Sequence, residues 1–303
     1  MSFSVSILGS SSALPTSERN LTAHLLNVNE RFFLIDCGEG TQLQLRKYKA
    51  KISRLDHIFI THLHGDHTFG LPGLISTFNL LGRKKTLNIY AHPDLEHIIF
   101  QFLSFFIVQL SYPIKFHPLI FNSPQLILEN GKMTVHSFPL KHRIPTCGFI
   151  FKEKPPLRKI RKELIEFYKI SPKDIPDIKK GADFITEEGK CIKNEILTFE
   201  PGPAKSYAFC SDTSYTEDII SQISNVDVLY HEATFAHEDQ ALAQATQHST
   251  AVEAAQIAKL ANAKKLILGH FSARYKDVTH LLDQACQIFP NTMVAEDGLK
   301  III

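Results

Sequence analysis

Several features that would narrow the chain's class are scarce or absent. No stretch is apolar for the roughly 20 residues that a bilayer-spanning helix needs. The most apolar run, IIFQFLSFFIVQL (98–110), is shorter, contains glutamines, and predicts a buried helix. The N-terminal MSFSVSILG has no basic stretch ahead of an apolar one, so it predicts a strand rather than a secretion signal. Cysteine is sparse. Cys37, Cys147, Cys191, Cys210 and Cys286 form no CxxC pair, which argues against a thiolate zinc site and fits reduced thiols in a cytoplasmic protein. An excess of charge is also missing. Lys and Arg total 33 against 31 Asp and Glu, a net +2, so a nucleic-acid partner would have to be recognised through a local patch. Hydrophobic residues make up 44% of the 303 positions, enough for one large domain or two small ones with a substantial core.

The apolar segments share one grammar. Phe3, Val5 and Ile7 alternate with serines in a strand that ends at Gly9. A second strand is predicted from about Thr22 to Val28, and RFFLID carries a third to Asp36. HIFI leads to His62, LNIYA is a strand, MTVHSFPLKH leads to His142, and SYAFCSD leads to Asp212. VDVLYHE reaches His231 and Glu232, and KLILGH reaches His270. GTQLQLRKY and STAVEAAQIAKLANA predict helices, the second with Ser249 or Thr250 as its N-cap. From RFFLID onward, every strand but LNIYA thus leads to an acid or a histidine.

The densest of these endings is HLHGDH, with His62, His64, Asp66 and His67. In an extended stretch, residues two apart point the same way, so His62 and His64 can hold one ion. Gly65 lets the chain turn, so that Asp66 and His67 face a second ion. Imidazole and carboxylate are the donors a zinc-like ion selects when no thiolate is offered; manganese or iron could also serve. Packing explains such a cluster poorly, because each group is costly to bury without a partner. His142, Asp212 and His270 are the candidates to complete the two sites, with Asp212 as the bridge and Asp36 orienting a ligand imidazole. A dinuclear site of this kind brings the pKa of bound water toward about 7, and the reaction class is metal-assisted hydrolysis.

Residues 151–200 break the grammar. They are rich in lysine, arginine and proline and predict an excursion with a short amphipathic helix over RKIRKELIEFYK. By charge alone, such a run is as well explained by a solvated surface insertion as by a binding element.

HLHGDH with the upstream DCGEGTQ resembles the metallo-β-lactamase superfamily. LGSSSALPTSERN, FITHLHGDHTFGLPGL, LKHRIPTCGF, FCSDT, HEATF, QHSTAVEAA and GHFSARY, in this order over nearly the whole chain, resemble its ribonuclease Z family. The resemblance implies an α/β (α+β) fold, an αββα sandwich with the metals at one edge of the sheets and a protruding flexible arm inserted at 151–200. It implies a cytoplasmic endoribonuclease that removes the 3′ trailer from precursor tRNA, works as a homodimer and binds two Zn2+ per subunit. By position it assigns His62, His64 and His142 to one ion, and Asp66, His67 and His270 to the other. Asp212 would bridge, and Asp66 also counts among the catalytic residues. His248 would be the proton donor to the leaving oxygen, held by Glu232. Arg19, Lys154, Arg158, Lys159, Arg161 and Lys162 would meet RNA phosphates. Two departures stand out: ISPKDIP has Lys173-Asp174 where the family's arm usually carries a glycine-proline pair, and Ser17 stands where the family commonly has a basic residue. Rival readings are a phosphodiesterase of small molecules on the same fold and an RNA-binding protein without catalysis.

Overall fold

The computed structural model describes residues 3–106 and 109–303. Met1 and Ser2 of the predicted first strand, and residues 107 and 108 of the apolar run, lie outside the described residues. The chain divides into two compact units. The first takes in Met1–Leu128, Val135–Phe151 and Ser206–Ile303, and the second Glu129–Thr134 and Lys152–Lys205.

The first unit is built on two seven-stranded sheets. One runs in the order Lys300–Ile302, Phe3–Gly9, Ala23–Val28, Arg31–Ile35, Leu55–Phe59, Leu87–Ala91, Ile114–Pro118. Its first four strands pair antiparallel, and from Arg31–Ile35 onward the pairing is parallel. The other sheet runs Thr292–Val294, Leu266–Gly269, Val228–Glu232, Ser206–Cys210, Thr146–Glu153, Met133–Leu140, Gln125–Glu129, and its first four strands are parallel. Aromatic rings fill the space between the sheets. Phe59 meets Phe149 and Phe151 with ring centroids 5.5 and 5.3 Å apart, and His24 meets Phe209 at 4.8 Å. The outer faces carry separate aliphatic cores. Leu71, Leu74, Ile75 and Phe78 of helix Gly70–Leu80 and Leu95, Ile99 and Leu103 of helix Asp94–Phe106 pack against the first sheet. Ala254, Ile257 and Ala258 of helix Ala251–Leu260 pack against the second. Thr250 caps this last helix in a capping box with Glu253, two reciprocal bonds that satisfy backbone donors the helix start would leave unpaired.

This architecture explains the strand-end grammar. Parallel neighbours release the chain at the same sheet edge, where open α/β sheets build their sites. Asp36, His62, Asp212, Glu232 and His270 all leave such ends. Asp36 and His270 do so with positive φ, 56° and 60°, a left-handed backbone uncommon outside glycine.

Two elements differ from expectation. The apolar run is not a buried helix. The helix starts earlier, at Asp94, and only its Leu95–Ile99–Leu103 stripe is buried, while Ile98, Phe102, Phe105 and Phe106 are exposed. A helix laid on one sheet face can bury only the residues at a spacing of three or four. The helix expected over 158–169 covers only Lys162–Phe167, because Lys159–Ile160 instead pairs antiparallel with Thr198–Phe199.

The second unit has its own small core of Ile170, Ile178, Ile192 and Leu197. Asn194 pins it by donating from Nδ2 to the carbonyls of Ile178 and Ala182, both at 2.6 Å. Among the described residues, no helix is long and apolar enough to cross a membrane.

Candidate metal centre

The loop after Leu55–Phe59 turns at His64 into the one-turn helix Gly65–Thr68, which puts His62 and His64 on one side of the turn and Asp66 and His67 on the other. Strand ends from the second sheet bring Asp212 and His270, and the turn before Thr146–Glu153 brings His142. Two overlapping groups result: His62, His64, His142 and Asp212, and Asp66, His67, Asp212 and His270. Within each group the donor atoms lie within 4.8 Å of one another. Asp212 belongs to both. Its Oδ2 faces His62 Nε2 at 3.5 Å and His142 Nε2 at 3.9 Å. Its Oδ1 faces His67 Nε2 at 3.4 Å and His270 Nε2 at 3.2 Å.

The outward ring nitrogens are tied down. His67 Nδ1 donates to Asp36 Oδ2 at 2.7 Å, and His142 Nδ1 donates to the Gln247 carbonyl at 2.8 Å. Thr61 Oγ1 gives its proton to Asp36 and lies 3.0 Å from His62 Nδ1. Thr234 Oγ1 gives its proton to Glu232 Oε2 and lies 2.9 Å from His270 Nδ1. A carboxylate can only accept, so each threonine is left to accept from its histidine, and both imidazoles turn Nε2 inward. His67 Nε2 and His142 Nε2 are buried without any hydrogen-bond partner. Such orphaned acceptors, facing carboxylate oxygens, fit a divalent cation.

The electrostatics agree. Burial lowers the pKa of His64 and of His142 to about 4, so both stay neutral as ligands must. Burial opposes ionisation of Asp66, but the charge of His67 and hydrogen bonds from His270 and His67 hold it below the usual carboxylate range. Burial likewise opposes a proton on His67, yet Asp66, Asp212 and Asp36 outweigh it and raise its pKa. The centre wants positive charge where these carboxylates converge.

Beside it, His248 Nδ1 lies 2.8 Å from Glu232 Oε1. Burial would strip its proton, but the charge and hydrogen bond of Glu232 prevail and raise its pKa to about 9. His248, Asp66, Asp212, His64 and His270 line a cleft of about 530 Å3 together with Phe69, Arg143 and Phe235. The motifs pick out the candidate ligands but not Thr61, Thr234 or Gln247. A strand threonine carries no signal, and Gln247 contributes only its backbone.

The six basic residues expected to meet RNA differ in how far their side chains are engaged within the protein. Arg19 donates to the carbonyls of Tyr275 and Lys276 at 3.0 and 2.9 Å. In the second unit Lys154 pairs with Glu129 at 2.6 Å, Arg158 bonds Thr198 at 2.7 Å, and Arg161 stacks on Phe199 at 4.2 Å. Lys159 and Lys162 are exposed, with no ion-pair partner among the described residues.

Two facing sheets, helices outside and a His/Asp cluster at the strand ends define a metallo-β-lactamase fold hydrolase. The metallo-β-lactamase fold protein YhfI of Bacillus subtilis superposes with a TM-score of 0.71 over 100% of both chains at 19% identity. The ribonuclease Z of Bacteroides thetaiotaomicron is 49% identical over 301 residues, covering 99% of this chain and 95% of that one. That of Phocaeicola vulgatus is also 49% identical, over 99% and 97%. The short form of human tRNase Z matches with a TM-score of 0.72 and 27% identity over 98% of each chain. A family model described as anti-Pycsar protein Apyc1 matches residues 3–111. The chain belongs to the ribonuclease Z family and is an endoribonuclease.

Proposed function

We propose that the protein removes 3′ trailers from precursor tRNA by zinc-dependent hydrolysis of the phosphodiester after the discriminator nucleotide. The observation that carries this reading is the His248–Glu232 pair beside two ligand groups that share Asp212. His62, His64, His142 and Asp212 would hold one ion, and Asp66, His67, His270 and Asp212 the other. When bound, such ions supply Lewis acidity that makes water acidic and offsets charge on the phosphoryl oxygens. Asp36, Thr61, Thr234 and the Gln247 carbonyl keep the ligand imidazoles oriented. His248 carries a proton at neutral pH. Its Nδ1 is engaged by Glu232, which leaves Nε2 to protonate the 3′-oxygen as the P–O bond breaks. The tRNA then ends in a 3′-hydroxyl, and the trailer carries the phosphate.

Lys159 and Lys162 are the best-exposed of the expected arm contacts and suit RNA phosphates. A homodimer is supported by Ile98, Phe102, Phe105 and Phe106, an exposed apolar face at helical spacing that a second copy would cover in a two-fold contact.

The test is cleavage of end-labelled precursor tRNA. Wild type should cut once, next to the discriminator. His64→Ala should abolish cutting, and His248→Ala should slow it by about 10²–10⁴-fold with bound metal retained, as for a lost general acid. A cut elsewhere, or one insensitive to both changes, contradicts the reading.

A further inference from the structure

We propose that Phe69 is a base-stacking platform for one of the two nucleotides flanking the scissile phosphate, an inference that rests on the RNA-cleavage reading above. Phe69 is the most exposed aromatic residue lining the cleft, 70% accessible. Its place is fixed by backbone rather than by packing of the ring. Phe69 N donates to the Gly65 carbonyl at 2.8 Å, and Gly70 N donates to the Cys37 carbonyl at 2.9 Å. A Cβ at Gly70 would sit 2.1 Å from the Gly38 carbonyl oxygen, so the helix start is seated directly on that loop. The ring itself lies over Gly65. A Cβ there would be 2.4 Å from Phe69 Cε2. Gly65 separates His64 from Asp66, one donor from each ligand group, so the ring lies beside the point where the scissile phosphate must sit.

Phe69 also borders the groove of Ile98, Phe102 and Phe106, but on the cleft side its ring is open, and every base offers a π-face to such a ring. The cleft's other phenylalanine cannot do the same. Phe235 is buried, and the Arg274 guanidinium lies over its ring at 5.3 Å. Removing the Phe69 ring takes away little buried contact, so its loss should register in substrate handling rather than in folding.

The experiment compares wild type, Phe69→Ala and Phe69→Tyr on three substrates: a precursor tRNA, the same RNA abasic at the discriminator, and the same RNA abasic at the first trailer nucleotide. Melting temperature, metal content and oligomeric mass are measured for each protein. Phe69→Ala should lower kcat/KM on the intact RNA by roughly ten- to a hundred-fold, the scale of one lost base stack. Phe69→Tyr should restore it. One abasic RNA should be cut more slowly by wild type, and on that RNA Phe69→Ala should cause no further loss. Losses that multiply on both abasic RNAs overturn the proposal, as does unchanged kcat/KM on the intact RNA. A Phe69→Ala defect that tracks a fall to monomer also overturns it, because the ring would then serve a protein contact. Wild type that leaves every trailer uncut overturns the RNA reading itself.

Discussion

His24 shows how far one buried side chain can make the fold depend on pH. It lies between the sheets, fully buried, with Nδ1 2.9 Å from the Tyr207 hydroxyl, and burial lowers its pKa to about 3. In the unfolded chain the ring takes a proton near pH 6.5; in the folded chain it does so only near 3. Below pH 6.5 the unfolded state therefore binds the extra proton. Stability falls as pH falls, by roughly 1.4 kcal/mol per unit for this group, and above 6.5 the group contributes no pH dependence. Urea unfolding from about pH 7 to about pH 4.5 should show wild type losing stability faster than His24→Gln, and parallel curves contradict this. At this scale the candidate ligands were legible, because a histidine or acid at the end of an apolar strand has few packing explanations. Thr61 and Thr234 were not, since their role exists only once Asp36 and Glu232 are brought beside them.

Among the elements, the short parallel strand LNIYA matched its sequence pattern residue for residue, because an apolar run bounded by turns leaves little choice. Outside the sheets the match was uneven: helices Thr41–Lys47 and Ala251–Leu260 form where expected, the second behind its Thr250 cap, but the segment after residue 151 departs from its pattern. Residues 158–169 have helical spacing, but Lys159–Ile160 finds a strand partner forty residues on in Thr198–Phe199, and that pairing prevails over local propensity. The same pairing leaves Lys159 and Lys162 in solvent while Arg158 and Arg161 are used internally. A double change Lys159→Glu and Lys162→Glu should therefore raise KM for precursor tRNA several-fold, reduce the salt dependence of binding by about two phosphate contacts, and leave kcat and hydrolysis of a small phosphodiester intact. An equal loss on the small substrate shows that the second unit matters to the fold, not to RNA.

For the whole molecule, the exposed face of Ile98, Phe102, Phe105 and Phe106 predicts self-association. Light scattering should report a dimer for wild type and a monomer for Phe102→Ser with Phe106→Ser; a dimer in both contradicts the assignment of this face. In the proposed mechanism, two ions sharing Asp212 would do the chemistry. The direct test strips the protein with chelator and titrates zinc back while following trailer removal. Activity should be absent at the start and should rise until two equivalents per chain are bound. Cleavage by the stripped protein, or a plateau at one equivalent, contradicts the account.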